Sequence, residues 1–186
     1  TTYGGSSGTS AFFAVQPAAI DHVTVTPATP TLKAGTATTF NALAYDVYNN
    51  QITTGLSYAW SADAGAGALS STTIASPSLT AASTIGTGIV TATVTKESAK
   101  VGSTTVSVIP DHYTISTITG PITAGANVPV TISARTSNET LITNATDSLA
   151  ISDLSASVNP TSITLVNGSW SGNLVMTLAK TGNKVS

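Results

Sequence analysis

The 186-residue sequence predicts an all-β chain made of two-sheet sandwiches in tandem. Three observations predict it. β-Forming residues alternate with polar ones along almost the whole chain, turn-forming clusters punctuate them, and a segment that begins at Asp21 recurs from Asp111.

The alternation comes first. Val23/Val25, Phe40/Ala42/Ala44, Tyr58/Trp60, Val90/Ala92/Val94 and Val106/Val108 mark strands in the first half. Tyr113/Ile115, Val128/Val130/Ile132/Ala134, Leu149/Ile151, Ile163/Leu165 and Leu174/Met176/Leu178 mark them in the second. Period-two patterning buries one face of a strand and wets the other, which calls for antiparallel sheets packed face to face. Gly, Pro, Asn and Ser clusters separate the runs.

The repeat follows. DHVTVTPATPTLKAG from Asp21 aligns without gaps on DHYTISTITGPITAG from Asp111, with Ala34-Gly35 and Ala124-Gly125 at the same offset. Two copies of one module are therefore present, each opening on Asp-His and turning at Ala-Gly.

Two further stretches carry a resemblance to a known group. AYDVYNNQI (Ala44 to Ile52) is similar to an A-x-D-x-x-G-N-x-[VI] strand-turn-strand, with Asn49 where Gly is usual. NPTSITLVNGSWSGNLVMTL (Asn159 to Leu178) is similar to later strands of the same group. The chain thus resembles the prokaryotic immunoglobulin-like modules of bacterial and archaeal surface proteins over nearly its whole length. The resemblance implies immunoglobulin-like sandwiches on a cell surface or outside the cell, and it implies no particular activity.

The ends of the sequence add an expectation about assembly. GTSAFFAVQP (Gly8 to Pro17) resembles GSTTVSVIP (Gly102 to Pro110), the last strand of the first sandwich, with Phe13 and Val15 matching Val106 and Val108. After Leu178 the module pattern calls for two more strands. Val185, Thr1 and Tyr3, read end to start, continue an alternation into that closing strand. The expected division is a donor-like segment 1–17, a sandwich 18–110, and a sandwich 111–186 lacking its last strands. Tyr3, Phe12, Phe13, Val15 and Val185 are the expected contacts between units. The segment would close the second sandwich of a neighbouring copy by strand addition, and a head-to-tail contact that does not close on itself builds a filament. A covalent array of such units is the alternative, and it stays open at this point.

Composition narrows the function classes. Charged residues make up 8% of the chain, against about 25% in ordinary soluble domains. Hydroxyls must then cover the outer faces, which suits glycans or burial in an assembly. A net charge of −2 offers no basic footprint for nucleic acid, and the absence of Cys excludes disulfides and thiolate metal sites. No apolar run approaches a membrane span. The sequons at Asn138, Asn144 and Asn167 are the expected N-glycan sites.

Catalytic and metal motifs are thin. Gly4-Gly5-Ser6-Ser7-Gly8 fits G-x-S-x-G, but no helix follows to make a nucleophile elbow. His22 and His112, each beside an Asp, have the chemistry of a base or metal ligand. Their equivalent placement favours a structural role where modules meet. Asp46 with Asn49 and Asn50 offers hard oxygen ligands for calcium, yet Asx-turn chemistry explains the same residues. Trp60 belongs in a core, while Trp170 is open to either packing or exposure. The expected function is a structural subunit of an extracellular filament, stalk or surface layer, not an enzyme and with no cofactor. The alternative is a repeat segment of a large surface adhesin, or a spacer array in a cell-wall or secreted enzyme. A carbohydrate-binding module ranks behind both, because few aromatics are free of the core-facing pattern.

Overall fold

The computed structural model of the protein describes residues 11–186. It is all-β, and no helix among the described residues is long and apolar enough to cross a membrane. The first module contains β1 (His22–Thr26), β2 (Thr31–Lys33), β3 (Ala37–Thr39), β4 (Asn41–Tyr45) and β5 (Gln51–Ile52). It continues with β6 (Ser57–Ala62), β7 (Gly67–Leu69), β8 (Ser78–Ala81), β9 (Gly86–Thr95) and β10 (Ala99–Ile109).

One sheet of this module has the order β2-β10-β9-β6, and it is faced by β1-β4-β5 and β3-β8-β7. The alternation dictates the arrangement. Val90, Ala92 and Val94 of β9 and Val106 and Val108 of β10 are buried between the layers, with Phe40 fully enclosed opposite them. Trp60 on β6 is core, and its indole nitrogen donates to the Ile74 carbonyl at 2.9 Å. Burying the ring together with its one donor requires such a partner.

The edge of the larger sheet is closed by a parallel pairing. Thr31, Leu32 and Lys33 lie opposite Ser107, Val108 and Ile109. The chain then turns at Gly35, whose φ of 81° a side chain would resist.

The second module contains β11 (His112–Ile115), β12 (Asn127–Arg135), β13 (Ser148–Ala150), β14 (Val158–Asn159), β15 (Ser162–Thr164) and β16 (Ser169–Met176). Its sheets are β11-β12-β16-β14 and β13-β15. Here β12 takes the place of β3 and β4 run together, and β16 takes the place of β8. The registers agree: Ala37 lies opposite Thr80, and the corresponding Asn127 lies opposite Val175.

One strand is shorter than its pattern suggests. Leu178 alternates with Leu174 and Met176 in the sequence, but β16 ends at Met176 and Leu178 is exposed. The Ser157 hydroxyl takes the amides of Thr177 and Leu178 at 3.1 and 3.2 Å and turns the chain off the sheet.

Candidate interaction site at the open edge of the second module

Repeat-equivalent positions ought to be equally buried, and at one edge they are not. Val23, Val25 and Leu32 are 8%, 6% and 8% exposed, whereas their counterparts Tyr113, Ile115 and Ile122 are 41%, 39% and 38% exposed. The cause lies in β10. It runs beside β2 and so close over β1 that a Cβ on Gly102 would lie 2.5 Å from the Val23 carbonyl oxygen. No described residue of the second module does the same for β11 and Ile122. In its place is a groove of about 850 Å³ between residues 115–124 and 176–185, lined by apolar Ile115, Ile118, Ile122, Met176, Leu178 and Val185.

Val185 lies at the rim of this groove. It bridges Asp153, while Ser152 and Ser186 exchange both backbone bonds at 2.8 and 2.9 Å. Phe12, Phe13 and Val15 lie elsewhere. They belong to no strand and do not line the groove of their own chain, and Phe13 and Val15 are 78% and 83% exposed. Tyr3 lies outside the described residues.

The root of this exposed segment is fixed. The Asp46 carboxylate accepts the Ala18 amide at 2.9 Å, the Tyr48 and Asn50 amides at 2.9 Å each, and the Asn50 side chain at 3.0 Å. Burial alone would raise the Asp46 pKa. The bonds from the Asn50 side chain and from the three backbone amides outweigh it and bring the value down to about 2. Four N–H donors leave these oxygens little capacity for a cation, so the loop is organised as an Asx turn. Thr136, its counterpart, builds the same loop with a hydroxyl that accepts from Asn138 and Thr140.

A second set of groups joins the two modules. Lys33 Nζ lies 3.5 Å from Asp111, and the Ser137 amide donates to the Ala34 carbonyl at 2.9 Å. Asn144 accepts from the Ile85 amide at 3.0 Å and donates to the Ile85 carbonyl at 2.7 Å. His112 Nδ1 meets Asp111 at 2.8 Å and its Nε2 meets Glu139 at 3.2 Å. The bond to Asp111 is the largest influence and raises the His112 pKa, with Glu139 assisting against burial. The same bond, with Lys33 adding to it, lowers the Asp111 pKa. His22 Nδ1 likewise meets Asp21, at 3.1 Å, and its ring stacks on Tyr45, with centroids 5.3 Å apart. Among the described residues no group of three or more His, Cys, Asp or Glu is placed to hold a metal.

The three sequons sit in different surroundings. Asn138 is on the exposed tip of the Thr136 loop and Asn167 is at a hairpin turn with φ 52°. Asn144 is exposed overall, but its amide is engaged between the modules. Nothing in an N-x-T triplet foretells that engagement. Asp153 was also not singled out from the sequence. It accepts from the Ser157 and Val158 amides at 2.7 and 2.9 Å and from the Asn183 side chain at 2.7 Å. Burial opposes ionisation there, and the bonds from Ser155, Asn183 and those amides prevail to lower its pKa. Trp170 is half-buried, its ring lying over Gly172.

Among known proteins, no family model and no curated protein matches the chain. Solved structures similar to it include parts of two bacterial adhesins and of an S-layer protein. The Yersinia pseudotuberculosis adhesin InvE is 14% identical with a TM-score of 0.38, over 83% of this chain and 50% of that one. Domains 5-6 of the S-layer protein SbsC are 14% identical at 0.37, over 88% and 86%. The Escherichia coli adhesin FdeC is 17% identical at 0.39, over 92% and 60%. The chain thus spans about half of the InvE structure. Likenesses this loose add nothing about function, which must be sought in the molecule itself.

Proposed function

We propose that the protein is a structural subunit of an extracellular filament, stalk or surface layer, in which residues 11–17 of one copy add as a strand to the open edge of another copy's second module. The exposure of Tyr113, Ile115 and Ile122, set against their buried counterparts, is the observation that carries this reading. In the first module the strand that covers those positions is β10. Residues 11–16 repeat its pattern, so Phe13 takes the place of the fully buried Val106 and Val15 that of Val108. By the same register Val15 would lie opposite Ile122, as Val108 lies opposite Leu32. A backbone ladder would supply affinity and the two side chains the register. Burying Phe13 and Val15 would contribute about 1.5–3 kcal/mol each before the cost of ordering the segment. Glycans at exposed sequons would supply hydration to a surface that has little charge.

The test is assembly of the full chain followed by sedimentation and electron microscopy. Wild type should form linear polymers and Phe13→Asp should remain monomeric. An added peptide of residues 9–17 should cap growth. Polymers that form equally well with Phe13→Asp, or a peptide that does not bind, would leave the alternative of one long covalent array.

A further inference from the structure

The turn that ends β2 has a counterpart with the same backbone and free surroundings. Gly35 has φ 81° and its amide donates to Ala81 at 3.2 Å; Gly125 has φ 84° and its amide donates to Met176 at 2.8 Å. At the first turn the other module is seated. The Ala34 carbonyl accepts the Ser137 amide, and a Cβ on Gly35 would lie 2.7 Å from Ser137 Oγ. At the second, the Ala124 carbonyl has no donor among the described residues, and a Cβ on Gly125 would meet nothing within 4 Å.

The other half of the joint is duplicated too. Asp46–Asn50 is closed like Thr136–Thr140: Asp46 and Thr136 bond Asn50 and Thr140 at 3.1 and 3.0 Å, and Asn49 and Glu139 share φ values of 63° and 62°. The Ser137 amide is used at the joint. The Val47 amide, at the same position, has no acceptor among the described residues, and Val47 and Tyr48 are 64% and 77% exposed.

We infer that the Val47–Tyr48 tip of one copy seats on the Thr123–Gly125 turn of another, with the Val47 amide donating to the Ala124 carbonyl as Ser137 does to Ala34. This rests on the head-to-tail reading above, which brings Pro17 of the arriving copy to that end of the second module. The connection is longer than the internal one. Asp111 follows Pro110 directly, while Ala18, Ala19 and Ile20 separate Pro17 from Asp21. A longer tether reaches every separation that a shorter one does, and the Asp46 bond to the Ala18 amide takes up its slack. The ion pair does not recur, since Thr123 and Asp21 stand where Lys33 and Asp111 do. The seat between copies is hydrogen-bonded and apolar, and insensitive to salt.

Residue-resolved amide exchange on the full chain tests it, before and after assembly. The Ser137 amide should be protected in both states. The Val47 amide should exchange freely in the monomer and at least about tenfold more slowly in the polymer. Polymers in which Val47 exchanges as freely as in the monomer overturn the seat and leave strand addition standing. A chain that never associates and never protects Val47 overturns both.

Discussion

Asn144 holds Ile85 by both of its backbone groups, accepting from the amide and donating to the carbonyl at 3.0 and 2.7 Å. One side chain thus acts as a strand partner would, across the boundary between two modules. Asn144→Ala should remove both bonds and cost about 1–2 kcal/mol of coupling. The thermal transitions of the two modules should separate in calorimetry, and small-angle scattering should report a wider spread of inter-module angles. Asn144→Asp keeps the acceptor but sets a carboxylate oxygen against the Ile85 carbonyl, so it should do no better than alanine.

The same geometry bears on modification. Glycopeptide mass spectrometry of protein from its natural source should find glycans on Asn138 and Asn167 and little on Asn144. Full occupancy of Asn144 would show that the bond to the Ile85 carbonyl yields before the chain is glycosylated.

The two edge leucine-like positions should respond differently. Leu32→Ala removes a buried side chain that β10 covers and should cost about 2–5 kcal/mol in any state. Ile122→Ala should cost well under about 1 kcal/mol in the unassembled chain, where Ile122 is 38% exposed. The loss at Ile122 should appear only in the polymer, as a raised critical concentration.

Acid should act through Asp46. Its folded pKa of about 2 lies below the ordinary 3.8, so its contribution to stability is complete above about pH 4 and is lost as pH falls through 2. Asp46→Asn should lower stability at neutral pH and flatten the decline of the first module between those values. Denaturant melts at a series of pH values read this directly.

His112 titrates in the opposite sense. Its folded pKa is raised above 6.5, so the stability it supplies is complete below pH 6.5 and is lost as pH rises through the folded value. Its partners are Asp111 and Glu139, with Lys33 on Asp111. The second module should therefore weaken slightly toward alkaline pH, and His112→Gln should remove the dependence.

The strands were readable because burial on one face leaves a period-two trace, and Val90/Ala92/Val94 or Val128/Val130/Ile132/Ala134 carry it plainly. The Ala-Gly turns were readable because a positive φ selects glycine at Gly35 and Gly125. Other features leave no such trace. The end of β16 depends on the Ser157 hydroxyl, which lies far from Leu178 in sequence. Asn144 looks like a sequon, and only the placement of the other module makes it a clamp. Asp153 is one carboxylate among several until the chain brings Ser155, Ser157 and Asn183 around it. Tyr113 and Ile115 have the same alternation as Val23 and Val25, so periodicity cannot distinguish a covered strand from an uncovered one.

The parallel pairing of β2 with β10 has a mechanical consequence. The chain enters the first module beside β1 and leaves from the far end of β10, with Val23 against Gly102 and Leu32 opposite Val108. Tension along the chain therefore pulls these neighbouring strands past one another, and the bonds between them are loaded in shear, all together, instead of being unzipped singly. Residues 11–16 in the open edge would meet Ile122 in the same sense, so a pull would strain the link between copies no differently from the fold of each copy.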